Sequence, residues 1–289
     1  MKTILYATDY SKNSELALTY AYNLSSKMKA KLVVVHVFDY PTFLDTISLK
    51  AEPAFPDLES DTIKKHTANL SAFCNRVLKN DSSILNIDLE AIENKSVVKG
   101  IINKAYALDA FLIVTGIKGA SKLREVIMGS TAKQLIEKAS CPVLAIPSDS
   151  VKTEIKTIVY ASDFEEEDFG AIDKLTEIAK PFNAKISVVH ISPLDEHIGK
   201  SHKKELEDKL HKYIDYPHLK LDILYADSAL NTIKLYYQNS NADLIAMLER
   251  EDKGVKQKVF HRDLVKRIED YGKIPLLSFN ASHYGIFHL

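Results

Sequence analysis

Short apolar runs separated by segments of helical period make up most of the chain, and this rhythm predicts its elements. Thr3 to Thr8, Ala30 to Val37 and Phe111 to Thr115 are apolar runs of strand length, as expected for parallel strands buried on both faces. Asn86 to Ile92 alternates apolar and polar residues as a strand, and Val143 to Ile146 is a further short apolar strand. Ser14 to Lys27 places Leu16, Ala17, Tyr20, Ala21 and Leu24 on one helical face, with Ser14 as its expected cap. Helices are also predicted over about Asp61 to Lys79 and over Ser96 to Ala107, whereas Asp39 to Ser60 holds Pro41, Pro53 and Pro56 and reads as an extended excursion or lid. Strands alternating with helices imply right-handed βαβ units and a doubly wound parallel sheet.

After a polar linker, Ser148 to Glu154, the pattern begins again. KTIVYASDFEEEDFGAIDKL at 156 to 175 echoes KTILYATDYSKNSELALTY at 2 to 20, pairing Lys2 with Lys156, Tyr6 with Tyr160 and Asp9 with Asp163 at an offset of 154. The same offset pairs His36 with His190 and Val37 with Ile191. A gapless echo of two strands and a helix predicts a duplication, with one domain over 1–147, a second over 155–279 and a tail over 280–289. In the second copy, helices are expected over about Glu165 to Phe182, Lys200 to Tyr213, Ser228 to Gln238 and Arg262 to Tyr271. Leu219 to Tyr225, Leu244 to Met247 and Leu276 to Phe279 are its expected later strands.

Composition narrows the function classes. The 38 Lys plus Arg against 39 Asp plus Glu leave no basic footprint for nucleic acid or an anionic membrane. No apolar run approaches the roughly 18 residues of a spanning helix, and the N-terminus turns polar too soon for a signal peptide, so the expected compartment is the cytoplasm. Cys74 and Cys141 read as small buried residues rather than a disulfide framework or nucleophiles. His190, His197, His202 and His211 stand seven, five and nine residues apart, which matches no usual zinc pair. His36 at the repeat position of His190 suggests a structural strand-end histidine in both copies.

The candidate chemistry lies in three glycines. Gly116 ends the Phe111 to Thr115 strand and Gly119 follows; after a basic loop with Lys118, Lys122 and Arg124, Gly129 stands directly before Ser130 and Thr131, where a helical pattern (Ala132, Leu135, Ile136, Ala139) starts. Glycines let the main chain come close to a ligand, and the first amides of a helix point outward without internal partners, so this arrangement suits a phosphate. The spacing is neither a Walker A loop nor a dinucleotide G-x-G-x-x-G. A turn glycine, a loop glycine and an ordinary Ser/Thr cap would give the same spacing.

The pattern G-x2-G-x9-G-S-T from Gly116 to Thr131, followed by CPVLAIP, resembles the nucleotide-binding motif of the universal stress protein family. ILYATDYSKNSELAL and KLVVVHVFD extend the similarity over residues 1–147. The resemblance implies an α/β fold of two doubly wound parallel-sheet domains in tandem, Rossmann-like and of the adenine nucleotide alpha hydrolase-like group. It implies ATP as ligand, with Mg2+ on its phosphates, held by Ala7, Thr8, Asp9, Val37, Gly116, Gly119, Gly129, Ser130 and Thr131. In that scheme Ala7 and Val37 shape the adenine slot, Asp9 meets the adenosine part, and the glycines with Ser130 and Thr131 cradle the phosphates. A turn or cap carboxylate is the alternative for Asp9.

The implied function is nucleotide-dependent regulation in a stress response, with a nucleotide-independent scaffold and a slow ATP hydrolase as alternatives. No catalytic residue is assigned, because phosphoryl transfer needs a base or water-positioning group and none is evident in the sequence. Two copies associate through their last strands in this family, so Val143 to Ile146 and Leu276 to Phe279 are expected to pair antiparallel within one chain, as an intramolecular pseudo-dimer. A further homo-dimer and a protein partner stay open.

The second copy departs from the motif. Aligning Cys141-Pro142 with Ile274-Pro275 sets Arg262, Asp263 and Leu264 opposite Gly129, Ser130 and Thr131; counting forward from Leu244 to Met247 sets Leu248 opposite Gly116 and Glu251 opposite Gly119. Under either register the glycines are gone, and the carboxylates of LEREDKG are expected near the place of the phosphates, so no ATP is expected there.

Overall fold

A computed structural model of the chain describes residues 1–39, 56–79, 87–117, 128–150, 154–194, 200–250 and 274–284. The first half runs β1 (Thr3–Ala7), α1 (Lys12–Met28), β2 (Lys31–Phe38), α2 (Pro56–Leu78), β3 (Ile87–Glu93), α3 (Val97–Ala107), β4 (Leu112–Ile117), α4 (Ser130–Lys138) and β5 (Val143–Pro147). The second runs β6 (Thr157–Ala161), α5 (Glu166–Ala179), β7 (Lys185–Ser192), α6 (Lys200–Tyr213), β8 (Leu219–Tyr225), α7 (Ala229–Asn239), β9 (Leu244–Glu249) and β10 (Leu276–Asn280).

Three local differences from the sequence pattern have physical reasons. The first helix starts at Lys12, not Ser14: Ser11 is the capping position and Ser14 is buried inside the first turn, where its hydroxyl donates to Asp9 Oδ1 at 2.6 Å. The second helix opens at Pro56, inside the expected excursion, because a proline at the first helical position forgoes an N–H that has no helical acceptor there. Gly116 does not close its strand; β4 continues through it to Ile117. Most of the expected excursion (40–55), the loop 118–127 with Gly119, the expected helix Arg262 to Tyr271 and the end of the tail lie outside the described residues.

Among the described residues the strands form one sheet in the order β3-β2-β1-β4-β5-β10-β9-β6-β7-β8. All neighbours are parallel except at the centre, where β5 and β10 run antiparallel with Leu144 opposite Leu277. The expected pairing of these two strands is therefore present within one chain. It covers two apolar edges that would otherwise expose unpaired amides and carbonyls.

Two cores line the two faces and cross the join. One packs Leu18, Leu24, Leu70 and Phe73 together with Ile172, Leu175, Leu210 and Phe279, beneath α1, α2, α5 and α6. The other packs Val98, Ile101, Leu135 and Ile136 with Ala229 and Ile233, beneath α3, α4 and α7. Side chains stitch the halves further: Lys2 pairs with Glu177 at 2.6 Å, Lys174 stands 3.9 Å over the Phe111 ring, and Asn280 donates to the Glu137 carbonyl at 2.7 Å. At the free edge β3, Asp88 and Glu90 pair with Lys31 and Lys104, and such charges discourage strand addition.

The duplication is visible in the backbone. Tyr10 and Phe164 (φ 63° and 58°), and Lys29 and Asn183 (51° and 52°), take left-handed conformations at the offset of 154. Asp109 and Asn241 (45° and 50°) do so at an offset of 132, because the second copy is shorter between its second and fourth strands. His36 and His190 each make a 2.9 Å bond through Nδ1, to the carbonyls of Thr8 and Ser162, which bears out the structural strand-end reading of both. A carbonyl can only accept, so Nδ1 carries the proton in each.

Candidate functional site

Parallel α/β sheets collect ligands beyond the carboxyl ends of their strands, where strand order reverses. In the first half that point lies between β2, β1 and β4, and a cleft of about 200 Å³ opens there. Its walls bring together Ala7, Thr8, Asp9, Val37, Gly116, Gly129 and Thr131 from widely separated stretches of sequence. Ser130, the first residue of α4, is exposed beside them, and Gly119 lies outside the described residues.

The wall after β1 is a tight turn. Thr8 Oγ1 accepts from the Tyr10 amide at 3.0 Å, and Asp9 Oδ1 accepts from the Ser11 amide at 3.0 Å and from the Ser14 hydroxyl. Partial burial works against charge on Asp9, but these bonds from Ser11 and Ser14 outweigh it and hold the carboxyl below its usual range. Asp9 thus fills the turn role that was the alternative reading and also faces the cleft.

The glycines divide by cause. A Cβ on Gly116 would stand 2.8 Å from the Asn13 carbonyl and 3.1 Å from Ser14 Cα, so this glycine lets the start of α1 lie against β4. Gly129 has an ordinary extended conformation (φ −59°, ψ 150°) and open space where a side chain would go. The fold itself does not require glycine there. Gly116→Ala is therefore expected to cost about 1–3 kcal/mol of stability through overpacking. Urea unfolding alongside Gly129→Ala checks this; equal midpoints for the two variants would show that the Gly116 contact carries no energy.

Several lining residues were not legible as site residues in the sequence, among them Asn13, Val97 and Ile101. The last two reach the cleft because α3 lies close on β2, where a Cβ on Gly100 would stand 2.8 Å from Val37 Cγ1. A glycine in a helix interior costs roughly 1 kcal/mol, and that local anomaly was the available signal.

The universal stress protein family model matches residues 1–147, just over half of the chain. The chain belongs to the universal stress protein family. A Staphylococcus aureus protein (strain USA300) named for the same family is 23% identical over 167 residues, covering 57% of this chain and 95% of its own. Among solved structures, a universal stress protein from Archaeoglobus fulgidus DSM 4304 superposes with a TM-score of 0.68 at 17% identity, over 96% of this chain and 98% of its own. A Pseudomonas aeruginosa PAO1 protein described as functionally unknown superposes at 0.64 and 15%, over 98% and 95%. These two likenesses show the fold, and both run the length of the two halves.

The second half of this universal stress protein treats the matching place differently. Thr115 opposes Ala7 across the first half as Met247 opposes Ala161 across the second, so Leu248 takes the position of Gly116. At the offset of 154, Glu167 and Asp168 replace Asn13 and Ser14 at the helix start. Arg250, just beyond β9, reaches across to them: its guanidinium pairs with Glu165, lies 3.1 Å from Glu167 and 3.8 Å from Asp168. Asp168 is buried, accepting from the Tyr160 hydroxyl at 2.7 Å and from the Glu165 amide at 3.0 Å. Carboxylate repulsion was the expected feature of LEREDKG. Its described part, Leu248 to Arg250, adds a cation seated on Glu165, Glu167 and Asp168 at the start of α5, and Glu251 and Asp252 lie outside the described residues. Neither cysteine is activated: burial pushes the thiols of Cys74 and Cys141 up to about 12 and about 11.

Proposed function

We propose that the first cleft binds ATP, accompanied by Mg2+, and that the protein acts in the cytoplasm as a nucleotide-dependent regulator in a stress response. The observation that carries this reading is Gly129. It is a glycine with no steric or conformational reason to be one, placed at the N-terminus of α4 on the cleft wall. A phosphate group approaching the first amides of that helix would use this open space and would be favoured by the helix dipole. Ser130 and Thr131 would add hydroxyls, Val37 and Ala7 would flank the base, and Asp9, with Oδ1 already committed to its turn, would accept from the nucleoside through Oδ2. The cleft is smaller than the ~300–1,000 Å³ of common ligand sites, so its described walls would enclose only part of a nucleotide.

In the second half Arg250 occupies the start of α5, the counterpart of the α1 start on the wall of the first cleft, which favours one nucleotide per chain; the counterpart of α4 lies outside the described residues. Among the described residues no helix is long and apolar enough to cross a membrane. Calorimetric titration of nucleotide-free protein with Mg-ATP tests the reading through its stoichiometry. One site per chain is expected. Two would overturn the account of the Arg250 cleft, and none would favour the nucleotide-independent scaffold.

A further inference from the structure

His66 on α2 belongs to neither the glycine motif nor the cleft wall. Its ring lies nearly parallel to Phe38 at the end of β2, with centroids 4.1 Å apart at 12°, and faces His36 at 5.4 Å and 23°. His36 in turn packs on Tyr10 at 4.2 Å. Tyr10 meets Phe73 of α2 edge-on at 5.7 Å, and its hydroxyl donates to the His66 carbonyl at 3.2 Å. Through this stack α2 is tied to the strand ends that carry the cleft, since His36 lines it and Tyr10 sits between the lining residues Asp9 and Ser11. In the second half, His190 meets Phe164 edge-on at 5.5 Å, and among the described residues no second histidine stacks there.

The Nδ1 of His66 is buried and has no hydrogen-bond partner among the described residues. In the neutral ring with its proton on Nε2 that nitrogen is a lone pair, a smaller cost than a buried charge. Protonation would put a charged N–H there without an acceptor. Among the described residues, the titratable groups beside the ring are His36 from β2, Tyr10 from the turn after β1 and Lys65 from its own helix, and none of these three offers a compensating negative charge.

We propose that this stack is a proton-operated contact: neutral His66 holds α2 against the cleft-bearing ends of β1 and β2, and protonation in mild acid releases it. Burial first, then His36 and Lys65, hold the imidazole below its ordinary value of 6.5. The docked helix therefore binds the proton less readily than the released one. Docking is at full strength above pH 6.5 and weakens as the pH falls from there through the docked value. For the nucleotide, which rests on the reading above, a loosened α2 means weaker binding in mild acid.

The test uses the full chain between about pH 5.5 and pH 7.5, the range in which histidine titrates. In nucleotide-free protein, NMR of labelled histidines follows the His66 ring, and hydrogen exchange corrected for intrinsic rates follows the α2 amides, in wild type and His66→Leu. Expected are a His66 midpoint below 6.5 and α2 protection that falls several-fold toward acid in wild type only. A midpoint at or above 6.5, or parallel losses in both proteins, would overturn the proposal. The ring titration decides even where the leucine variant does not fold. Mg-ATP titrations over the same range then test the link to the cleft: a steeper loss of affinity in wild type than in His66→Leu supports it, and identical profiles overturn it. Titrating α2 protection without ATP binding at any pH would instead sink the nucleotide reading and leave the contact standing.

Discussion

Arg250→Ala is expected to lower the stability of the chain at neutral pH by about 3–5 kcal/mol, the usual cost of removing one partner from a buried ion cluster. The guanidinium is 14% exposed and faces Glu165, Glu167 and Asp168, of which Asp168 is almost fully enclosed. Without the cation, three acids crowd the start of α5, and among the described residues the helix dipole and the Tyr160 and Glu165 bonds remain to stabilise Asp168. The pH dependence identifies the cause. Burial raises the Asp168 carboxyl above its ordinary value, while the Tyr160 bond and Arg250 pull it back. A raised carboxyl makes the folded state bind the proton more readily than the unfolded state, so its contribution to stability declines as pH rises from the ordinary carboxylate value through the folded one. Removing Arg250 raises Asp168 further, so the deficit of the variant should be largest near neutrality and shrink in acid. Urea unfolding of both proteins from about pH 4 to pH 7 measures it. A deficit independent of pH would show that Arg250 acts through packing alone.

Gly129→Val is expected to reduce Mg-ATP affinity at least tenfold, a loss of about 1.4 kcal/mol or more, by placing a branched side chain in the space assigned to phosphate. Stability should change by no more than about 1 kcal/mol, the difference between glycine and valine at a helix-capping position, because the backbone is extended and a Cβ there meets nothing within 4 Å. Calorimetry and unfolding on the same preparation separate the two effects. Unchanged affinity would remove Gly129 from the site and return it to the role of an ordinary helix cap.

Much of this architecture was legible without coordinates. The predicted strands and helices of the described residues all formed, most within two or three residues of their expected ends. Buried parallel strands must be apolar throughout, and helices that cover them must repeat their apolar residues at helical spacing; both constraints are local and leave their mark on contiguous residues. The echo at an offset of 154 was readable for the same reason, as was the role of His36 and His190 at equivalent strand ends.

What the tertiary structure decided are the partnerships between residues far apart in the chain. Ser14 looked like a cap, but the cap position is Ser11, and packing turns the Ser14 hydroxyl onto Asp9. Gly116 and Gly129 looked alike in the motif, yet one answers to the Asn13 carbonyl of α1 and the other to empty space. Arg250 stood in a segment read for its carboxylates, while its partners lie some 85 residues earlier, at Glu165. His66 gave no signal, because its stack depends on α2 crossing the ends of β1 and β2. The sequence by itself determined the elements and their duplication, since periodicity is written in neighbouring residues. Which side chains share a cleft, a charge or a ring face was set only when the ten described strands aligned and brought distant segments within bonding reach.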